Sequence, residues 1–259
     1  MLEAIVDLGA GARRWRTSVK LAVQDIELRY KRSMLGPFWI SASLVATILA
    51  LAYVFSAVFR QEFANYIAFL GAGLLTWQLI LTMVNEGAAS VTEHSSFLQN
   101  VRMPLSTAAG RIVMRNAIIF AHNAGAVMAT LLIFGLQPTS TMLLAIPGAA
   151  LILFTGFFVA LALGPLCTRF RDIPLVIQSI MQVIFFLTPI FWLPDSVTHR
   201  PMFIHANPFY HMIELVRAPL LGEPATMLNW QVALWCCAGA MLVALISVSI
   251  ARRRVNLWL

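Results

Sequence analysis

Six stretches of this chain run for roughly twenty residues or more with little or no charge. That is the length a helix rising about 1.5 Å per residue needs to cross about 30 Å of hydrocarbon. They cover residues 37–59, 63–84, 112–136, 142–166, 173–193 and 228–251. A soluble domain carries roughly 25% charged residues, whereas 11% of these 259 residues are charged and 60% are hydrophobic. A soluble domain of this size cannot hide so much apolar surface, and a bilayer removes the need to hide it. The runs lack two-residue alternation, which excludes barrel strands. The expected fold is an all-α integral membrane protein, a single transmembrane domain over residues 1–259 with six transmembrane helices.

Orientation follows from the cations. Arg13, Arg14, Arg16, Lys20, Arg29, Lys31 and Arg32 precede the first run, and Arg102, Arg111 and Arg115 are assigned to the connection between the second and third. Arg169 and Arg171 separate the fourth and fifth, and Arg252, Arg253 and Arg254 follow the last. Fifteen of the eighteen basic residues thus fall on one side, leaving Arg60, Arg200 and Arg217 on the other. The positive-inside rule then puts both termini in the cytoplasm. A net charge of +7 distributed this way is a topology signal rather than a groove-sized patch, so a nucleic-acid partner is excluded. The first dozen residues hold Glu3 and Asp7 and no apolar core, so no cleavable signal peptide is expected.

Two segments outside the runs carry information. In residues 13–35, Trp15, Val19, Ala22, Ile26 and Tyr30 share one helical face, and Thr17, Lys20, Gln24, Glu27 and Lys31 the opposite one. Such a helix lies along the membrane surface, its apolar stripe among the headgroups. Gly36-Pro37 ends it, since Gly turns the chain out and Pro suits the first turn of the next helix. The external segment 195–227 is too charged to span and too apolar to stay in water, which predicts short re-entrant or interfacial helices. Glu214 and Arg217, three apart, are placed to neutralise each other there.

Catalytic motifs are missing. The sequence has no Gly-x-x-x-x-Gly-Lys-Ser/Thr, no His-Glu-x-x-His and no Gly-x-Ser-x-Gly. Cys167, Cys236 and Cys237 lack metal-ligand spacing and read as small buried hydrophobes. His122, beside Asn123, lies deep in the third run; structural hydrogen bonding and contact with a transported molecule both remain open. Every acid lies in a connection or near a run's end, Glu86 being the deepest, which weakens an ion-coupled carrier. The uncharged polar residues Gln78, Asn116, Asn123, Gln178 and Gln182 are the remaining intramembrane chemistry. Gln178 and Gln182 share a face, with Phe185 and Phe186 one turn on. Amides beside rings suit a pore for a hydroxylated chain, and they equally suit helix–helix glue.

Four motifs in order carry a family likeness. Arg29-Tyr-Lys-Arg-Ser-Met-Leu-Gly-Pro-Phe-Trp leads into the first run, and Phe170-Arg-Asp-Ile follows the fourth. Leu187-Thr-Pro-Ile lies toward the end of the fifth, and Asn207-Pro-Phe sits in the external segment. Together they resemble the ABC-2 type permeases of polysaccharide export, foremost those of O-antigen, with capsule and teichoic-acid permeases next. The resemblance implies a homodimer in the bacterial cytoplasmic (inner) membrane, paired with two copies of a separate ATPase that holds ATP and Mg. This chain would itself be a transport subunit, not an enzyme, and would need no cofactor. Its cargo would be a lipid-linked polysaccharide. A coupling helix in residues 92–105 would dock on the ATPase through Glu93, His94, Ser95, Ser96, Phe97 and Leu98. Arg29, Lys31 and Arg32 would meet the cargo's phosphates. Trp77, Gln78, Asn116, Gln178, Gln182, Phe185 and Phe186 are the channel-lining candidates. The external gate would hold Phe209, Tyr210, Glu214 and Arg217. Two alternatives stand beside this reading: an ABC-2 exporter of a drug or lipid, and a polytopic membrane acyltransferase, which would need a catalytic His or Asp at a membrane face.

Overall fold

The computed structural model describes residues 2–31, 36, 38–92, 103–194 and 201–251. Their regular structure is helical throughout. Helices α1 (Leu2–Arg13) and α2 (Trp15–Tyr30) precede the long apolar helices α3 (Phe38–Val58), α4 (Phe63–Ala89) and α5 (Leu105–Ile133). A 3-10 turn (Ser140–Leu144) leads into α6 (Ala145–Arg169), which is followed by α7 (Ile173–Leu187). Two short helices, α8 (Pro201–His205) and α9 (Pro208–Leu220), come before α10 (Met227–Ala251).

Five helices are long and apolar enough to cross a bilayer: α3, α4, α5, α6 with its leading 3-10 turn, and α10. The sixth apolar helix, α7, has only 15 residues, or about 22 Å of rise. The sequence places this helix over residues 173–193, but it stops at Leu187. Proline disfavours helical backbone in the residue before it, and Thr188, preceding Pro189, is extended. Residues 188–192 then bend back over the bundle. Tyr66 Oη donates to the Phe191 carbonyl, Arg217 Nη1 to the Pro189 carbonyl at 2.6 Å, and Asn207 Nδ2 to Thr188 Oγ1 at 2.9 Å.

Helix α4 is the axis of the bundle. Of its most apolar window, 72% is buried, against 17–33% in the other four, because α3, α5, α6, α7 and α9 all pack on it. Small residues permit that crowding, as they do between helices in lipid. A Cβ at Gly87 would lie 3.0 Å from Ala160 Cα of α6. One at Gly148 of α6 would lie 2.4 Å from the Leu215 carbonyl oxygen of α9.

Three helix ends close in the same way. At α3, Gln61 N–H reaches Ser56 O and Arg60 N–H reaches Ala57 O; at α5 and α9 the equivalent bonds surround Gly135 and Gly222. This double closure needs a left-handed residue after the helix. Gly135 and Gly222 have φ of 97° and 92°, while at α3 the position falls to Arg60, with φ 53°.

The N-terminal region differs from its expected form. The predicted surface helix 13–35 is represented by α2 alone, and a further helix, α1, joined to it at Arg14, precedes the segment the sequence singles out. Residues 32–35 of that segment lie outside the described residues. On helix α2 the residues Thr17, Lys20, Gln24 and Glu27 are exposed, as is Lys31 at its C-cap, and the opposite stripe is divided between protein and surface. Ser18 and Ala22 are buried, whereas Trp15 is more than half exposed. The face turned inward is the one that makes polar contacts with α5: Ser18 Oγ donates to the Thr107 carbonyl at 3.2 Å, and Asp25 meets two arginines. Helix α5 starts at Leu105, two turns before the predicted run, because Asp7 of α1 caps it. The Asp7 carboxylate accepts the N–H groups of Leu105 (3.2 Å) and Ser106 (2.9 Å), two of the four donors a helix start leaves unpaired. Arg111 and Arg115 therefore sit within a helix rather than in a connection.

Candidate transport site

Arg111 and Arg115 are four residues apart on α5, so they share a face. Two cations facing the bundle need anions opposite. Asp25 supplies one from α2: Arg111 Nε donates to it at 2.6 Å and Arg111 Nη2 makes a second, parallel bond. Arg115 Nη1 reaches the same carboxylate at 3.1 Å. Glu86, one turn from the end of α4, supplies the other, 2.8 Å from Arg115 Nη2. Asn116 Nδ2 donates to Glu86 at 2.6 Å, and Arg29 of α2 stands 3.8 Å from its second oxygen.

The cluster joins α2, α4 and α5 at one point. Arg115 is 5% exposed, so its charge has left water and depends on these partners; removing one partner of such a pair typically costs about 3–5 kcal/mol. Among the described residues, three guanidinium groups stand against two carboxylates, an excess of one positive charge. Arg29 differs from the other two arginines, its side chain being 49% exposed. It stands on the wall of a cleft of about 130 Å³ that runs between α4 and α5, lined by Gln78, Glu86, Asn116 and Asn123 among apolar side chains such as Phe120. The site can thus present one solvated guanidinium, one carboxylate and three amides to a polar or anionic ligand.

The structure brings some of the predicted residues together and separates others. Arg29, Gln78 and Asn116 share the cleft. Lys31 is exposed. Arg32 and the six coupling residues Glu93, His94, Ser95, Ser96, Phe97 and Leu98 lie outside the described residues. Trp77 is buried, its ring 5.6 Å from Phe185 and 6.1 Å from Phe209. Gln178, Gln182 and Phe186 lie on the outer face of α7, exposed. His122 and Asn123 tie α5 to α3 through Ser41. Its hydroxyl donates to Asn123 Oδ1 at 2.6 Å, so it accepts from His122 Nδ1, also at 2.6 Å.

At the other end, Arg217 is 1% exposed. It forms the expected ion pair with Glu214, donates to the Pro189 carbonyl and lies 4.2 Å over the Phe69 ring. Tyr210 is 6.0 Å from the same guanidinium. Two of the sequence motifs are fastened to each other here: Asn207 Oδ1 caps α9 by accepting Phe209 N–H at 3.0 Å, while its amide holds Thr188.

Sequence reasoning missed Asp25, Arg111 and Arg115 as a unit. The four-residue spacing of the two arginines is the signal that was present, since like charges one helical turn apart repel unless an anion lies between them. Their partner is 86 residues away in sequence, and nothing local points to it.

Long apolar helices around a small-residue axis, with polar side chains turned into a cleft between them, define a multi-pass membrane protein. The profile of the ABC-2 type transporter family matches residues 19–221, and the chain belongs to that family, whose members are membrane subunits of transporters. It is 26% identical over 198 residues to an O-antigen export system permease protein RfbA of Klebsiella pneumoniae, covering 75% of this chain and 76% of that one. It is 25% identical over 205 residues to the protein of the same description from Myxococcus xanthus, covering 77% and 78%.

Proposed function

We propose that this chain is the permease subunit of an ATP-driven exporter that moves a lipid-linked polysaccharide, O-antigen-like or capsule-like, across the bacterial cytoplasmic membrane. Two copies assemble with two copies of a separate ATPase. Each copy crosses the membrane six times, with both termini in the cytoplasm. The short α7 makes the fifth crossing together with the bend at residues 188–192. The observation that carries the reading is the cleft between α4 and α5, with a solvated guanidinium on its wall and amides behind it. Arg29 supplies charge for a cargo phosphate, and Gln78, Asn116 and Asn123 supply donors and acceptors for hydroxyls. The outer face of α7, with Gln178, Gln182 and Phe186, supports a wider path between two copies, because these amides and this ring are exposed on the surface of one chain. The names of the relatives support the polysaccharide class over a drug or lipid cargo.

In this reading ATP binding closes the ATPase pair, and the 92–105 coupling segment passes the motion to the spans. Arg29, Lys31 and Arg32 receive the cargo phosphates, and the 195–227 segment closes the external end. The test is labelling. A bulky maleimide on Gln182→Cys, in an otherwise cysteine-free chain that still exports, should block glycan export in cells. Full export from a quantitatively labelled variant would place that face outside the path and refute the channel assignment.

A further inference from the structure

Helices α1 and α2 pack mainly on α5, and α1 also on α10. Tight fastening pins them there: a Cβ at Gly11 would lie 2.1 Å from Ser106 Oγ, and Ser106 Oγ itself donates to the Asp7 carbonyl at 2.7 Å. Helix α6 stands away from this corner. Between the two lies an apolar groove of about 580 Å³, walled by Leu8, Ala12 and Trp15 on one side and by Phe154 and Phe157 on the other, with Met114 of α5 between them. Along α5 its lining runs from Ser106 to Ala117, eleven residues or about 16 Å. That is close to the depth of one leaflet, half of about 30 Å of hydrocarbon. The serine hydroxyls on its floor are already bonded to backbone carbonyls, which leaves an oily slot.

The end of the slot formed by α1 and α2 is strongly basic. The chain turns between the lining residues Ala12 and Trp15 through Arg13 and Arg14, both exposed, and the exposed Arg16 guanidinium lies 5.6 Å from the centre of the Trp15 ring. The acid nearest in sequence, Asp7, is committed to the start of α5. Among the described residues, Arg13, Arg14 and Arg16 take part in no ion pair. We infer that this groove is a binding site for one anionic phospholipid, an acyl chain filling the slot and the headgroup phosphate held by Arg13, Arg14 and Arg16. The bound lipid fills the wedge between the α1–α2 corner and α6 and so fixes the surface helices against the bundle. The site is separate from the cleft between α4 and α5, and it rests on the proposed function only for the placement of α2 at a membrane surface.

Full-length protein in vesicles of neutral phosphatidylcholine, doped with acyl-brominated lipid, tests this without ATPase or glycan. Its failure therefore leaves the export reading untouched. The readout is the tryptophan quenching that Trp15→Phe removes. Brominated phosphatidylglycerol should quench that component at several-fold lower mole fraction than brominated phosphatidylcholine. Replacing Arg13, Arg14 and Arg16 with Gln should erase the preference, at most roughly fivefold per residue; all three are exposed, so folding is undisturbed. Ala150→Phe, which fills the slot from its exposed rim, should abolish quenching by both lipids with unchanged elution on gel filtration. Equal quenching by the two lipids in the parent protein would mean ordinary boundary lipid, and no quenching would mean a slot closed by protein. Displacement of phosphatidylglycerol by substoichiometric polyprenyl phosphate would assign the slot to a cargo tail. Each of these three results overturns the proposal.

Discussion

Both ends of the bundle bury arginines, but in opposite manners. Arg217 pairs with a carboxylate on its own helix, three residues away, and spends its remaining contacts on a backbone carbonyl and a ring. Its charge is balanced and enclosed, so the surrounding structure behaves as a rivet. The Asp25–Arg111–Arg115–Glu86–Arg29 cluster joins three helices, has one positive charge in excess among the described residues and opens into a cleft. Charged hydrogen bonds of similar strength can be exchanged within such a network when a helix shifts or an anion arrives, whereas the rivet can only be broken. In the proposed function, the contrast would place cargo contact and motion at the α2 end and rigidity in the core of the α9 end.

That contrast can be broken or sharpened by substitution. The largest effect is expected at the rivet: Arg217→Ala strands Glu214 and the Pro189 carbonyl and should cost about 3–5 kcal/mol, read as loss of monodisperse protein in detergent. Arg217→Lys should recover little, because a compact ammonium cannot bond Glu214 and Pro189 while stacking on Phe69. At the cluster, a double-mutant cycle of Asp25→Asn and Arg111→Gln should give a coupling energy of about 1–3 kcal/mol in thermal unfolding, the size expected within one charged network. Additive losses would mean the two groups do not act together. Replacing Arg60, a non-glycine in left-handed backbone, with Gly should be neutral or raise stability by about 1 kcal/mol. The smallest change in stability is expected for Arg29→Gln, within about 1 kcal/mol of the parent, because that guanidinium is half exposed and its contact with Glu86 is long, at 3.8 Å. Its export activity should nevertheless fall severalfold in a cell-surface glycan assay. Unchanged export would remove Arg29 from the cargo path.

The apolar runs were legible because bilayer thickness is a one-dimensional constraint that a linear sequence can satisfy visibly. The starts of α3, α4 and α10 accordingly lie within one residue of their expected positions. The start of α5 was not legible, since its cap comes from Asp7, about a hundred residues upstream. The early stop of α7 was written in Thr188-Pro189, but the apolar residues after the proline masked it. Helix α1 escaped notice because its inward residues, Ala4, Asp7 and Gly11, are small or charged and form no apolar stripe. On α2 the apolar stripe was legible, but the polar contacts of Ser18 and Asp25 with α5 were not. Within the candidate site, Gln78 and Asn116 were visible as uncharged polar residues in apolar runs, and Arg29 through its motif. Glu86 stood out as the deepest acid, but Asp25 and the pairing of both carboxylates with Arg29, Arg111 and Arg115 did not, because the pairing exists only once α2 lies across α4 and α5.

In the proposed function this chain forms the path and another subunit supplies the energy. Proteoliposomes made with the permease alone, and with the permease plus its cognate ATPase, test it through the accumulation of lipid-linked glycan on the far side. Accumulation is expected only when ATPase and ATP are both present. Uphill movement by the permease alone, or ATP hydrolysis by the assembled complex with no glycan moved, would contradict it.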